Sequence, residues 1–310
     1  MTGHNTESPW DIGPVIEELR EKRNHSLALR NRENNPPKLP NRKVLREILE
    51  NLSTVLYPNR LGEGGLTASS IDYFVGNTLE FTLMRLLEQA EKELIFTANG
   101  LESSTSSVRP SAIHIIKQFT HLLPKIREKL DTDLEAAYEG DPAARSVDEV
   151  LVCYPGISAI TCHRIAHELF VLGLPLIARM ISEIAHSDTG IDIHPGAHIG
   201  GSFFIDHGTG VVIGETTIIG ERVRLYQAVT LGAKRFPTDE NGVLLKGNAR
   251  HPIVEDDVVI YAGATILGRI TIGRGSTIGG NVWLTRSVPP DSNITQAQAK
   301  QELFIHGAGI

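Results

Sequence analysis

Read in steps of six from Asp192, the chain keeps an aliphatic residue in the leading place. The second half of this stretch is regular at Val254, Ile260, Ile266, Ile272, Ile278 and Leu284, and the fifth place carries Val258, Ala264, Ile270, Ser276, Val282 and Val288. The first half keeps the beat at Ile193, Ile199 and Ile205, takes one step of eight, and resumes at Ile213, Ile219, Leu225 and Leu231. Glycine follows the leading aliphatic at Gly200, Gly214, Gly220, Gly232, Gly273 and Gly279. A period of six fits neither a helix nor the alternation of a sandwich strand; it is the hexapeptide signature of a β-helix. Each hexapeptide predicts one short strand and one turn, with the aliphatic pointing inward and the glycine supplying a backbone state that other residues resist. One coil cannot bury its own apolar face, so coils stack and the stack becomes the core.

Upstream the spacing is helical. Apolar stripes predict helices over 10–30, 41–56, 71–96, 111–130 with a bend at Pro124, 156–172 and 175–186. Thr132-Asp133-Leu134-Glu135 matches a capping box and predicts a separate short helix ending near Gly140. Breaks are expected at Pro36, Pro37 and Pro40, in the Gly-rich 58–70, in the Ser-rich 101–107 and at a hinge over 188–191. The fold class is therefore α+β. A poorly ordered or helical extension over 1–40 precedes an all-helical domain over 41–190, a β-helix over 191–290 and a tail over 291–310. The β-helix is interrupted over 232–252 by Lys234, Arg235, Asp239, Glu240, Lys246, Arg250 and His251. So long a polar loop inside a regular solenoid is more often functional than decorative.

Composition narrows the class. A length of 310 residues suits two domains, and 41% hydrophobic with 22% charged residues describes a globular protein. A net charge of -7 gives no electrostatic reason for a nucleic-acid or acidic-lipid partner. No apolar run approaches the ~20 residues of a membrane span, and residues 1–9 lack a signal-peptide core. Cys153 and Cys162 offer neither a disulfide framework nor a zinc pattern. They read as buried thiols in a cytoplasmic protein.

Several motifs carry a resemblance. Asp192-Ile-His-Pro-Gly-Ala-His-Ile-Gly, Ile205-Asp206-His207-Gly-Thr-Gly, Ile213-Gly-Glu-Thr, Val229-Thr-Leu-Gly, Arg250-His251-Pro252 and Ile266-Leu-Gly resemble serine O-acetyltransferases of the hexapeptide-repeat acyltransferase family. Gly140-Asp141-Pro142-Ala143 and Cys162-His163-Arg164-Ile165-Ala166-His167 resemble that family's helical domain, and the similarity covers 141–290. The resemblance implies a left-handed parallel β-helix of three-sided coils. It also implies transfer of acetyl from acetyl-CoA to the L-serine hydroxyl, the first step of cysteine biosynthesis, without a resident cofactor or metal. It assigns His207 as base and Asp192 as its partner, with Asp141, Pro142, Asp206, Arg250 and His251 around the amino acid. With coils of about eighteen residues, Asp192 and His207 are expected on neighbouring coils near one corner.

The chemistry agrees with those residue types. A hydroxyl attacking a thioester needs a base with a pKa near operating pH, and a carboxylate fixes the tautomer of that base. A zwitterionic acceptor needs carboxylates for its ammonium and Arg or protonated His for its carboxylate. Gly232, Ala262 and Gly280 match the positions where the family's backbone meets acetyl-CoA in a groove between subunits; turn geometry explains these small residues equally well. His194, His198, His207 and His251 raise the alternative of a zinc hydratase, which needs three ligands on one metal. Another small acceptor and a non-catalytic assembly module are the remaining alternatives.

The family implies a homotrimer or a dimer of trimers. Its tails ending in Ile enter O-acetylserine sulfhydrylase, so Ile310 is either an anchor for that partner or part of a frayed tail. L-cysteine differs from serine by one atom and is expected in the same pocket as a feedback inhibitor. The chain departs from the family in its longer 232–249 loop and in Ser292-Asn-Ile-Thr-Gln after Pro290.

Overall fold

The computed structural model describes residues 10, 12–30, 38–62, 64–98, 105–235, 240, 243–244 and 247–296. Asp239, Lys246 and Ile310 lie outside the described residues. The chain divides into two compact units, 1–39 and 40–310. In the first, α1 (Gly13–Leu29) starts with a proline in its first turn, and its apolar Val15, Ile16 and Leu19 are exposed.

The second unit opens with α2 (Arg42–Leu56). Asn41 caps it by accepting hydrogen bonds from the Lys43 and Val44 amides at 2.9 and 3.2 Å. Leu45, Ile48, Leu49, Leu52 and Leu56 recur at helical spacing and are all buried. Then follow α3 (Pro58–Leu61), α4 (Ile71–Thr97), α5 (Thr105–Gly140), α6 (Val147–Cys153), α7 (Pro155–Val171) and α8 (Pro175–Thr189).

One sequence expectation fails here. The helix does not restart at Thr132: α5 runs unbroken through Pro124 and 132–135 to Gly140. Thr132 Oγ1 donates to Lys129 O at 2.7 Å within the helix and accepts the Ser202 amide at 2.8 Å. Asp133 is fully buried, and its carboxylate takes Arg164 Nε and Nη2 at 2.7 Å each. The same four-residue pattern recurs as Ser146-Val147-Asp148-Glu149, where it does cap. Ser146 Oγ accepts the Glu149 amide at 3.1 Å and opens α6, an element the apolar spacing does not announce. Helix α8 likewise runs through the expected hinge to Thr189 and ends on Gly190 at φ 70.

Among the described residues the hexapeptides form fourteen short strands, paired in parallel, on three faces. The first face stacks β1 (Asp192–Ile193), β4 (Val212–Ile213), β7 (Thr230–Gly232), β10 (Thr265–Leu267) and β13 (Trp283–Leu284). The second stacks β2 (His198–Ile199), β5 (Ile218–Ile219), β8 (Ile253–Val254) and β11 (Thr271–Ile272). The third stacks β3 (Phe204–Ile205), β6 (Arg224–Leu225), β9 (Val259–Ile260), β12 (Thr277–Ile278) and β14 (Asn293–Ile294). The last strand carries the coil past Pro290 into the expected tail. Val212 pairs with Thr230 and Thr265 with Trp283, so a regular coil is eighteen residues. The leading aliphatics from Ile193 to Ile278 are all buried, and the prism interior is continuous with the helical core.

The glycines after those aliphatics are needed for closeness, not for a left-handed backbone. None of Gly200, Gly214, Gly220, Gly232, Gly273 or Gly279 has a positive φ. A Cβ on Gly200 would overlap the Gly220 carbonyl one coil above, and a Cβ on Gly220 would meet the Asp256 amide nitrogen at 2.8 Å. Stacked corners leave no room for a side chain there.

Candidate active site

The single step of eight falls between β3 and β4, and its extra residues lie in Asp206-His207-Gly208-Thr209-Gly210. His207 takes a left-handed φ of 58, which costs a non-glycine residue on the order of 1 kcal/mol. Gly208 follows at φ 88, and a Cβ there would overlap Ile191 Cδ1. The enlarged corner ejects the imidazole from the prism, leaving its side chain 72% exposed with Nε2 3.8 Å from Asp206 Oδ1. This is the third corner, where the third face returns to the first.

Side chains from three elements converge there. Arg224, one coil on from Phe204, donates Nη2 to Asp206 Oδ2 and Nη1 to Gly140 O, both at 2.7 Å. The guanidinium also lies 4.9 and 4.7 Å from the Phe204 and Tyr226 ring centres, at cation–π distance. It ties the end of α5 to the corner. Asp141, just beyond that end, accepts Tyr154 Oη at 2.5 Å and the Ala143 amide at 2.8 Å. The Tyr154 hydroxyl, then the Ala143 amide, hold its carboxyl below the usual range, and the Tyr154 hydroxyl is pushed up to about 12 in return. Pro142 sits exposed in the same turn. Farther along the corner, Tyr226 and Tyr261 stack at 5.0 Å, and Ala262 O accepts the Asn281 amide at 2.8 Å beside Gly280.

Asp192 and His207 share this corner but belong to the same coil, not to neighbouring ones, because the enlarged step makes the first coil twenty residues long. They form no ion pair within 4.0 Å. Asp192 faces Arg179 Nη1 at 3.9 Å instead. Neither Tyr154 nor Arg224 carries a motif or spacing that marks it in the sequence. Arg224 occupies an outward strand position, and only the register places it beside Asp206.

Arg250 and His251 stand elsewhere, at the first corner between the first and second faces, with Gly232 at the end of β7. Arg250 Nη2 donates to Glu215 Oε2 at 2.6 Å. The Arg250 and His251 amides both donate to Thr216 Oγ1, at 2.9 and 3.2 Å. The Thr216 amide donates to His251 Nδ1 at 3.0 Å, so Nδ1 is an acceptor and the proton sits on Nε2. A Cβ on Gly214 would overlap the His251 ring, which fixes that glycine. Burial, then Arg250, pushes His251 down to about 4. It is therefore neutral at pH 7, not the protonated carboxylate ligand expected above; it can still donate from Nε2. Stability has a definite sign here. Between the ordinary 6.5 and about 4 the unfolded chain binds a proton that the fold refuses, so stability falls as pH drops through that window. Urea midpoints from pH 7 down to about 4 are expected to fall less steeply in His251→Gln than in the parent chain.

The four histidines weighed for zinc do not converge. His207 is at the third corner and His251 at the first; His194 packs edge-on to Phe170 at 5.8 Å and His198 edge-on to His167 at 4.8 Å. Among the described residues, Glu183, His186 and Asp192 bring ligand atoms together. Arg179 faces that group, 2.7 Å from Glu183 and 3.9 Å from Asp192, and its charge opposes a cation. Cys153 is exposed, contrary to expectation, because α6 is a surface helix with Val150 alone buried. Burial pushes the Cys162 thiol up to about 12. No helix among the described residues is long and apolar enough to cross a membrane.

Comparison with known proteins gives the family. Residues 251–286 match the model for bacterial transferase hexapeptide (six repeats). The plasmid serine acetyltransferase of Synechococcus elongatus is 60% identical over 275 residues, covering 88% of this chain and 86% of that protein. Serine acetyltransferase 1 of Entamoeba histolytica, solved in complex with L-cysteine, superposes with a TM-score of 0.70 at 34% identity over 91% of this chain and 100% of that one. Soybean serine acetyltransferase complexed with serine gives a TM-score of 0.52 at 30% identity over 80% of this chain and 94% of that one. With its helical half, its left-handed parallel β-helix and this identity along most of its length, the chain belongs to the serine acetyltransferase family of acyltransferases.

Proposed function

We propose that this chain transfers the acetyl group of acetyl-CoA to the hydroxyl of L-serine, giving O-acetyl-L-serine and CoA. One observation carries the reading: the enlarged corner presents an exposed imidazole, His207, beside Asp206 and Asp141. His207 takes the hydroxyl proton, and the oxygen attacks the thioester carbonyl directly. The tetrahedral adduct then collapses and expels the CoA thiolate. No acyl-enzyme is needed, since neither cysteine stands at the corner. Asp192 orients the base once substrate or a partner chain displaces Arg179 from it. The ammonium of serine lies against Asp141 and Asp206, next to Pro142.

The two corners bear on assembly. One chain holds His207, Asp141 and Asp206 at its third corner and Arg250 and His251 at its first. A homotrimer, alone or as a dimer of trimers, sets the first corner of one prism against the third corner of the next. Arg250 of one chain and the neutral His251 Nε2–H then reach the carboxylate of a serine held by its neighbour. Acetyl-CoA lies in the groove between, along Ala262 and Gly280 of one chain and Gly232 of the other. L-cysteine, seen bound to the Entamoeba relative, takes the serine pocket here as well.

A thiol-release assay with acetyl-CoA across a panel of amino acids and sugars tests the reading. L-serine is expected to lead the panel, with L-cysteine inhibiting in competition with it. A sugar or another amino acid outpacing serine, or inhibition by cysteine that extra serine does not relieve, would refute it.

A further inference from the structure

Away from both corners, α5, α7 and the start of β2 border a cavity of ≈ 280 Å³, open to solvent at the exposed Lys125 and lined further by the half-buried Lys129 and by His163, His167, Glu168 and His198. Arg164 also reaches it, but four of its five N–H groups are spent on Asp133 and on the Ile199 and Gly200 carbonyls. The two lysines are different. They stand one turn apart on α5, and neither has an ion-pair partner within 4.0 Å. Burial, then the charges of Arg164 and Lys125, lower the Lys129 ammonium pKa, so the cations here repel one another. His163 is 3% exposed, and its Nδ1 is buried without a hydrogen-bond partner. His167 Nδ1 lies 2.8 Å from the Pro195 carbonyl, which only accepts, so Nδ1 carries the proton and Nε2 is left free.

Such a lining carries an excess of positive groups. Two lysines without an ion-pair partner and three imidazoles line it with one carboxylate, Glu168, and Glu221 is the other acid whose charge acts on Lys129. A divalent metal is disfavoured by the lysines and by Arg164. The volume equals that of roughly nine waters, too small for a nucleotide and ample for a small ion. We propose that this cavity is an oxyanion site, distinct from the acyl-transfer corners, that takes a small tetrahedral dianion of the phosphate or sulfate class. Lys125 and Lys129 supply the charge, His163 Nδ1–H donates, and His167 Nε2 takes up a proton as the anion enters. Lys125, Lys129, His163, Arg164, Glu168 and His198 are the charged and titratable groups around that imidazole.

The test is calorimetric titration of the full chain with inorganic phosphate, sulfate and chloride at low ionic strength. Saturable binding of phosphate and sulfate, but not chloride, is expected. Because sulfate stays a dianion, its affinity is expected to rise as pH falls from about 8 to about 6, reporting protonation of His167. Lys129→Met and Lys125→Met are each expected to weaken binding by about tenfold or more, the weight of one charge-assisted hydrogen bond. Lys129→Arg is expected to retain it, which separates charge from packing. Equal affinity in the Lys125→Met/Lys129→Met pair, or no saturable binding by the parent chain, overturns the proposal. So does saturable zinc binding that His167→Ala abolishes. Displacement of phosphate by CoA with the same lysine dependence would make this a cofactor-tail site and would also sink the reading.

Discussion

His207→Ala is expected to lower kcat by about 10²–10⁴, the range for losing a positioned general base. The argument is local. His207 is held at φ 58 by an enlarged corner and stands 72% exposed, so it supports no core. Its removal should change the unfolding free energy read from urea denaturation by no more than about 0.5 kcal/mol, as for other surface sites. His207→Asn is the companion variant, because asparagine tolerates a left-handed backbone better than most residues. If either variant keeps more than a tenth of the parent rate at saturating serine and acetyl-CoA, the base is elsewhere. His251, neutral and close to Arg250, would be the next candidate.

Arg164→Met is expected to cost about 3–5 kcal/mol of stability. The pair it breaks is the buried joint between the helical half and the first coil. Arg164 and Asp133 have side chains 4% and 0% exposed and meet through two bonds of 2.7 Å. Their remaining atoms hold the coil itself. Arg164 donates to Gly200 O at 2.7 Å, and Asp133 Oδ1 accepts the Phe203 amide at 2.9 Å. Removing the cation strands a carboxylate in the interior. Removing both charges, as Asp133→Leu/Arg164→Met, is expected to recover part of the loss but not all, since the Phe203 amide and the Gly200 carbonyl stay unpaired. Denaturant midpoints of the two singles and the double decide it. A shift under about 1 kcal/mol for Arg164→Met would show that the joint is held by apolar packing alone.

The β-helix was legible because its core rule is one-dimensional. An aliphatic every six residues states which side chains point inward, and each of those from Ile193 to Ile278 does. The glycines were found for the wrong reason: they answer to the coil above, not to their own φ. The capping-box signal shows the same limit. Thr132-x-x-Glu135 and Ser146-x-x-Glu149 are equivalent as strings, yet the first lies inside a helix because Ser202 and Arg164, far along the chain, claim its polar groups. Among site residues, Asp206 and His207 were singled out by the motif resemblance, whereas Tyr154 and Arg224 had no such signal.

By itself the sequence determined the coil, its inward residues and the helical half, because each follows from spacing along the chain. Only the tertiary structure decided which corner each polar residue occupies. Coil register set Arg224 against Asp206, put Arg250 and His251 one corner away from His207, and turned Asp192 toward Arg179. The physical reason is that apolar burial repeats locally, while hydrogen bonds and ion pairs are satisfied by whichever partner the stacking brings near.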